Sequence, residues 1–281
     1  MLDGGLRADS SLESRLQRSH GSLKLSLAAR DGRTAIRDWY QSGAAKARAP
    51  KVYSHRGIEA LLINTSGGLT GGDTLNISLA VGEAACGVFT SQASEKIYRS
   101  LGGTVSIKVD LSVAKGGRGC WVPQDTIFFD GAALSRELRL AAAQSAEFLI
   151  MEPLVFGREA MGERVSKGSY RDFWRVSVGG QLIFAEEARL GGDIGMSLER
   201  LALGRGARGF LTGLYRGPAM NDKCDALREL PYGEGTWAGA SLLRGALSFR
   251  VAAQEPAEMR RWMAEAYRVL SGLPAPIAWR C

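Results

Sequence analysis

A strict alternation of apolar and polar residues in the stretch TVSIKVDLSVA, residues 104–114, constrains the fold of this chain more than any other feature. Five apolar residues occupy every second position from Val105 to Val113. Successive side chains of a β-strand point to opposite faces of a sheet, so a strand places all five on one face. A helix would scatter the same residues around its circumference. The stretch therefore predicts a strand with one buried face.

Similar but shorter strand patterns recur along the chain. They cover residues 23–27, 58–64, 120–130, 134–140, 174–178, 181–190 and 247–251. Gly179 and Gly180 separate two of these stretches and predict a hairpin turn between them. Leu134 in the stretch LSRELRL stands apart from the alternation of Leu138 and Leu140.

Helical spacing is confined to two stretches near the C-terminal end. Residues 256–272 carry apolar side chains at i, i+3 and i+4 spacing. Residues 221–230 predict a shorter helix, with Asn221 or Asp222 as its cap. Residues 91–100 fit neither pattern clearly. The chain is therefore predicted to be all-β, with about two α-helices near its C-terminal end.

The glycine content points to many tight turns between short strands. Glycine accounts for 36 of the 281 residues, about 13%, against roughly 7% in average proteins, while only 8 residues are proline. No stretch is rich enough in proline or serine to divide the chain. We therefore expect a single domain over residues 1–281, in which residues 1–20 form a polar and mobile arm.

The scarcity of histidine and the spacing of cysteine exclude several classes of enzyme. The only histidines are His20 and His55, which disfavours sites with three histidine ligands, and no HExxH, GxSxG or phosphate-loop motif is present. The four cysteines form no CxxC pair, the polar residues 1–20 do not show the apolar stretch of a secretory signal, and no run of about 18 apolar residues occurs. We expect a cytoplasmic, non-enzymatic protein with reduced thiols. A hydrolase that uses a cysteine stays open as a minor alternative.

The net charge leaves a second class of function open. Lys and Arg number 36 against 29 Asp and Glu, so the formal net charge is +7. A positive charge permits partners such as nucleic acids or acidic proteins without requiring them. A basic, β-rich nucleic-acid-binding module is therefore the alternative function, and steep salt dependence of DNA or RNA binding would support it.

Six segments, in this order along the chain, are the most distinctive motifs. They are GAAKARAPK (43–51), LLINTSGGLTGGD (61–73), FTSQASEKIYRS (89–100), WVPQDTIFFDGA (121–132), FGREAMGE (156–163) and IAWRC (277–281). Together they resemble the urease accessory protein UreD family, called UreH in some organisms. Glu95 departs from the smaller residue that is usual in the family at this place, so no role is assigned to it.

The resemblance implies both a fold and a function. The fold would be an elongated β-helical or stacked-sheet arrangement with two helices. The function would be that of a maturation factor, or chaperone, that binds apo-urease. With UreF and the GTPase UreG it would support nickel insertion into the urease active site. The family implies no nucleic-acid or membrane partner and no tightly bound cofactor, only nickel(II) in transit, and it leaves a homodimer within the maturation complex open.

Five carboxylates in and between the motif segments are the candidate ligands of a nickel path. They are Asp73, Glu152, Glu163, Glu186 and Glu187. Nickel(II) binds tightly to histidine and cysteine, so a protein that hands nickel on is served better by isolated oxygen ligands. The alternative interpretation is that these acids are surface charges, strand-end caps or ion-pair partners.

The remaining candidate residues belong to a loop and to two partner-binding segments. In GGLTGGD, the glycines Gly67, Gly68, Gly71 and Gly72 predict either a tight loop that points Asp73 inward and admits a close backbone, or a simple hairpin connection. The partner-binding candidates are Lys96, Tyr98, Arg99, Met259, Trp262 and Met263. The last three form the apolar stripe of the C-terminal helix, whose default role is in the core. If exposed, the stripe would suit docking to UreF.

Overall fold

The computed structural model describes residues 18–51, 57–158 and 162–280, which are built mainly of strands. The strands β1 to β17, in chain order, are His20–Arg30, Arg33–Gly43, Ala45–Arg48, Ile58–Asn64, Thr74–Val81, Cys86–Ser91, Glu95–Ile97, Val105–Val113, Arg118–Trp121, Thr126–Phe128, Ala133–Ala142, Glu147–Phe156, Lys167–Val178, Gln181–Asp193, Gly209–Arg216, Thr236–Leu243 and Ala246–Ala253. The helices α1 to α3 are Ile194–Glu199, Met220–Arg228 and Pro256–Ser271, followed by a 3-10 turn at Ile277–Arg280. Residues 1–17 of the predicted polar arm and His55 lie outside the described residues.

The strands form two sheets between which the chain passes back and forth. The seven-stranded sheet has the order β14-β13-β11-β8-β5-β1-β2. The ten-stranded sheet has the order β16-β17-β15-β12-β9-β6-β4-β3, with β7 and β10 joined to it through β12. Within each sheet the central strands are parallel, because the chain crosses to the other sheet before it returns to the neighbouring strand. The described connections from β4 to β13 contain no helix. This arrangement confirms the predicted all-β, stacked-sheet fold.

The core between the two sheets follows from the alternation seen in the sequence. Val105, Val109 and Val113 of β8 are all buried, while Lys108 and Asp110 between them face solvent. The same period places every second side chain of the neighbouring strands in this layer. The strand prediction for residues 104–114 is confirmed.

The ten-stranded sheet is buried on both faces, because α2 and α3 cover its outer side. Along β12, Phe148 and Ile150 face the seven-stranded sheet, and Leu149 and Met151 face the helices. A strand covered on both faces reads as a continuous apolar run, which explains the sequence EFLIMEPLVF. The Gly179-Gly180 turn joins β13 to β14, as predicted.

The helices match the sequence in position but not in every detail. α3 spans Pro256–Ser271 and is followed by Gly272, which has the left-handed backbone that closes many helices. α2 begins at Met220 after Ala219, so the prediction that Asn221 or Asp222 caps it is wrong: both lie inside its first turn. The six-residue α1 was not predicted, and residues 95–97 of the ambiguous stretch form β7.

Candidate functional site

An internal cavity of about 310 Å³ lies between the two sheets. Apolar side chains such as Leu23, Ile77 and Val109 form part of its wall. It reaches the surface along residues 91–96, where Gln92 is exposed. The inner wall is polar and consists of the residues Trp121, Thr126, Arg136 and Glu152. The cavity therefore connects solvent to charged groups in the interior.

A buried ion pair between neighbouring parallel strands forms the centre of the polar wall. Arg136 of β11 lies directly opposite Asp172 of β13 in the strand register, and only 4% of Arg136 is exposed. Its Nε donates to Asp172 Oδ1 at 3.1 Å, and its Nη2 donates to Asp172 Oδ2 at 2.6 Å. The Tyr170 hydroxyl donates to the same Oδ2 at 3.0 Å. Two-point contact of this kind fixes the guanidinium plane as well as its charge.

Glu152 of β12 approaches the same guanidinium from the ten-stranded sheet. The Trp121 indole Nε1 donates to Glu152 Oε1 at 2.8 Å. Glu152 Oε2 lies 3.2 Å from Arg136 Nε and accepts no hydrogen bond of normal geometry from the described residues, although Glu152 is only 2% exposed. Burial raises the pKa of Glu152, and the charge of Arg136 opposes that rise. The side chain of Trp174 is also close enough to lower the pKa of Glu152. The cluster thus holds two carboxylates for one guanidinium, with one carboxylate oxygen left unsatisfied beside the cavity.

A second carboxylate lines the cavity nearer its opening. The Asn64 side-chain amide donates to Glu95 Oε1 at 2.9 Å, and Lys96 N donates to the same oxygen at 3.1 Å. Burial raises the pKa of Glu95 despite these donors. Lys96, one of the predicted partner-binding residues, also lines the cavity.

Of the five predicted acids, the structure places only Glu152 in the cavity wall. Glu163 accepts a hydrogen bond from Asp130 N at 3.2 Å. Glu186 pairs with Arg250 at the edge strand β14. Glu187 is exposed and pairs with Arg171 and Arg189, whose hydrogen bonds lower its pKa. Among described residues no group of three or more His, Cys, Asp or Glu side chains is arranged to hold a metal ion.

Asp73 and the glycine motif form one packed loop. Asp73 is buried and accepts hydrogen bonds from Thr70 N and Ser19 N, both at 2.8 Å. A Cβ at Gly71 would lie 2.0 Å from Ser100 Oγ, and one at Gly68 would lie 2.4 Å from the Tyr98 ring. The segment that approaches Gly68 and Gly71 therefore consists of residues 96–103 of the same chain. The aspartate points inward, as the loop prediction states, but onto backbone donors.

The predicted partner-binding residues fall into an exposed and a buried group. Tyr98 is 42% exposed and stacks at 5.0 Å between ring centroids on Phe129. Arg99 is exposed and pairs with Asp130 at 2.9 Å.

The three stripe residues of α3, by contrast, are buried. Met259, Trp262 and Met263 pack against the outer face of the ten-stranded sheet. The exposure that docking through this stripe requires is therefore absent from this conformation.

The described cysteines lack the features of an activated nucleophile. Burial raises the pKa of Cys120 to about 12 and raises that of Cys86 as well. A thiol needs a lowered pKa to react as a thiolate at neutral pH. Cys86, Cys120 and Cys224 are free thiols. The hydrolase alternative finds no support in these residues.

Arg136, Asp172 and Tyr170 were not singled out from the sequence, although a signal for two of them is present. Arg136 occupies the inward position between Leu134 and Leu138, which explains the interrupted alternation of LSRELRL. Asp172 likewise interrupts the inward residues of β13. A charged residue at a core position of a strand predicts a buried partner of opposite charge.

Fold and site together define a protein of stacked β-sheets that enclose a cavity with an unsatisfied carboxylate. Comparison with known proteins gives the family. The chain belongs to the UreD urease accessory protein family, which matches residues 19–279. It is 41% identical over 266 residues to the urease accessory protein UreD of Rhizobium johnstonii, covering 94% of this chain and 96% of that protein. It is 42% identical over 268 residues to the UreD of Brucella suis, covering 94% and 95%.

The helices of the described residues have at most 16 residues. None of them combines the length and the apolar composition that crossing a membrane requires.

Proposed function

We propose that this chain is a non-catalytic maturation factor that binds apo-urease and supports nickel insertion into the urease active site. Membership of the UreD family and the names of its relatives as urease accessory proteins support the maturation role. UreF and the GTPase UreG are its proposed partners in that complex, which acts in the cytoplasm. Tyr98 and Arg99 are the exposed residues proposed for partner contact.

Within this role, the internal cavity serves as a passage for nickel(II). The observation that carries this part of the proposal is the unsatisfied Oε2 of Glu152, buried at the cavity wall. A buried carboxylate oxygen without a hydrogen bond is costly, and a passing cation relieves that cost. Glu95, closer to the opening, offers a second oxygen ligand on the same route.

The chemistry of this wall suits transfer better than storage. Nickel(II) is held tightly by imidazole and thiolate groups, whereas a lone carboxylate leaves the ion largely hydrated. A passage must attract the ion enough for entry and hold it loosely enough for exit. A cavity whose inner end has one available carboxylate meets both conditions.

The proposal is tested by recovering tagged protein from cells that express the urease operon and measuring the nickel content of the urease recovered with it. We expect wild-type protein to recover urease and to support its loading. Glu152→Gln should recover the same amount of urease but support lower nickel content, because the amide carries no charge for the ion. The matched control is Glu187→Gln, which changes an exposed carboxylate outside the cavity.

Two results would contradict the proposal. Failure of the wild-type protein to recover urease would remove the maturation role. Full nickel loading with Glu152→Gln, at normal urease recovery, would remove the passage through this cavity and leave the scaffold role.

A further inference from the structure

The two carboxylates beside Arg136 are bound to it in different ways. Arg136 Nε carries a single proton, and that proton is donated to Asp172 Oδ1. Asp172 Oδ2 receives two donors, Arg136 Nη2 and the Tyr170 hydroxyl. Glu152 Oε2, at 3.2 Å from the same Nε, therefore receives no hydrogen bond from Arg136 and is held to it by charge, with the Trp174 side chain as a looser neighbour. Asp172 is the fixed partner of Arg136, and Glu152 is the partner that can be released.

Arg136 and its releasable partner Glu152 lie side by side at the cavity wall. Arg136 and Glu152 both line the cavity, while Asp172 lies on the adjacent strand β13. A cation that reaches Glu152 therefore meets a fixed positive charge within a few ångströms. Repulsion between a unit charge and a double charge at this range is strong in a partly dry interior. The guanidinium cannot withdraw far, because two hydrogen bonds tie it to Asp172.

We propose that Arg136 is a built-in counter-ion of Glu152, which holds the carboxylate when the cavity is empty and weakens the binding of any divalent cation there. Arg136 is a positioning residue: it acts on the cation through Glu152 and does not bind it. This inference rests on the proposed passage of nickel and adds the element that keeps the ion from being trapped. Asp172 and Tyr170 anchor the counter-ion at a fixed distance.

The test measures equilibrium binding of Ni²⁺ to the isolated full-length chain by titration calorimetry, together with the rate of Ni²⁺ release to a chelator. The key variant is the double substitution Arg136→Met with Asp172→Asn. It removes one positive and one negative charge, so the formal charge of the cluster stays at −1, as in the wild type. Methionine fills much of the arginine stem's volume, and Glu152 is left as the only charge of the cluster.

We expect the double variant to bind Ni²⁺ about tenfold more tightly or better and to release it correspondingly more slowly. Net charge alone predicts no change for this variant. Asp172→Asn by itself should act in the opposite direction, since it removes a negative charge and frees Arg136 to pair fully with Glu152. A general loosening of the structure would move both variants the same way.

The chain also provides a matched control on the same strand. Arg139 and Glu137 of β11 form an ion pair at 2.6 Å, with Arg139 exposed and outside the cavity. Arg139→Met with Glu137→Gln removes the same pair of charges from the other face of the strand. Ni²⁺ binding by this variant should equal that of the wild type.

Two outcomes would overturn the counter-ion role. One is a double variant that binds Ni²⁺ no more tightly than the wild type, including the case in which neither binds. The other is tighter binding by Asp172→Asn alone. The readout here is Ni²⁺ binding by the isolated chain, whereas the maturation role is tested by urease recovery from cells. The counter-ion role and the maturation role can therefore be refuted independently of each other.

Discussion

Substitution of Gly71 by alanine tests whether the glycine motif serves close packing of the chain against itself. A Cβ at this position would lie 2.0 Å from Ser100 Oγ and 2.3 Å from the backbone oxygen of Gly102. Ordinary contacts of a Cβ begin near 3.4 Å, so residues 100–103 must move by more than 1 Å. Overpacking against backbone costs about 1–3 kcal/mol, and a displacement of this size belongs near the upper value.

The expected change in melting temperature follows from the size of the chain. An unfolding entropy of roughly 2.1 cal/mol/K per residue gives about 0.6 kcal/mol/K for 281 residues. A loss of about 3 kcal/mol therefore lowers the melting temperature by about 5 °C. Differential scanning calorimetry of the wild type and the variant measures this shift directly.

Two further glycines separate the clash from other effects of alanine. Gly67 has a φ of +76° with nothing within 4 Å of a Cβ, so alanine there meets only backbone strain of about 1 kcal/mol. Gly191 also has open space, and its backbone lies outside the left-handed region, so alanine there should be neutral or slightly stabilising. The expected order of stability is Gly191→Ala, Gly67→Ala, Gly71→Ala. A melting temperature for Gly71→Ala within 1 °C of that for Gly191→Ala would refute the packing argument.

Two other outcomes can be measured by denaturant unfolding. The Lys167 backbone N–H, with other donors and Arg99, lowers the pKa of Asp130 to about 2. Because the pKa of Asp130 is lower in the folded than in the unfolded state, its ionised form stabilises the protein when the pH is above the unfolded-state pKa of about 4. This stabilisation is lost as the pH falls through the folded-state pKa of about 2. The stability advantage of wild type over Asp130→Asn should therefore shrink between pH 4 and pH 2, and a constant difference would contradict it. Trp262 is buried beside Phe249, so Trp262→Ala should cost about 3–5 kcal/mol. A cost below 1 kcal/mol would mean that α3 does not pack as described.

The strands could be predicted from the sequence because their signal is local. In Val105–Val113 the face of the sheet that a side chain occupies depends only on whether its residue number is odd or even. The pairing of strands is not local: Leu134 lies beside Val105 on one side and Tyr170 on the other, in distant parts of the chain. No short-range pattern specifies such neighbours. The β-helical stacking was therefore expected only through family resemblance.

The candidate site was predictable to a smaller extent, for a related reason. Glu152 lies just before the motif segment 156–163, and its residue type is suited to a metal path. Glu186 and Glu187 share that residue type, yet arginines neutralise both of them. Which carboxylate stays unsatisfied depends on three strands from two sheets meeting at Arg136. A carboxylate's partners across sheets cannot be read from its position in the chain.

The pairing of Arg136 with Asp172 also bears on how the strands find their alignment during folding. A slip of two residues between β11 and β13 would keep every side chain on its face but would set Arg136 opposite Tyr170 or Trp174 in place of Asp172. Ladders of leucine and valine tolerate such errors better, since any apolar neighbour satisfies them. Breaking a buried, hydrogen-bonded ion pair costs several kcal/mol. The ion pair therefore favours the observed register of β11 and β13 over a shifted one.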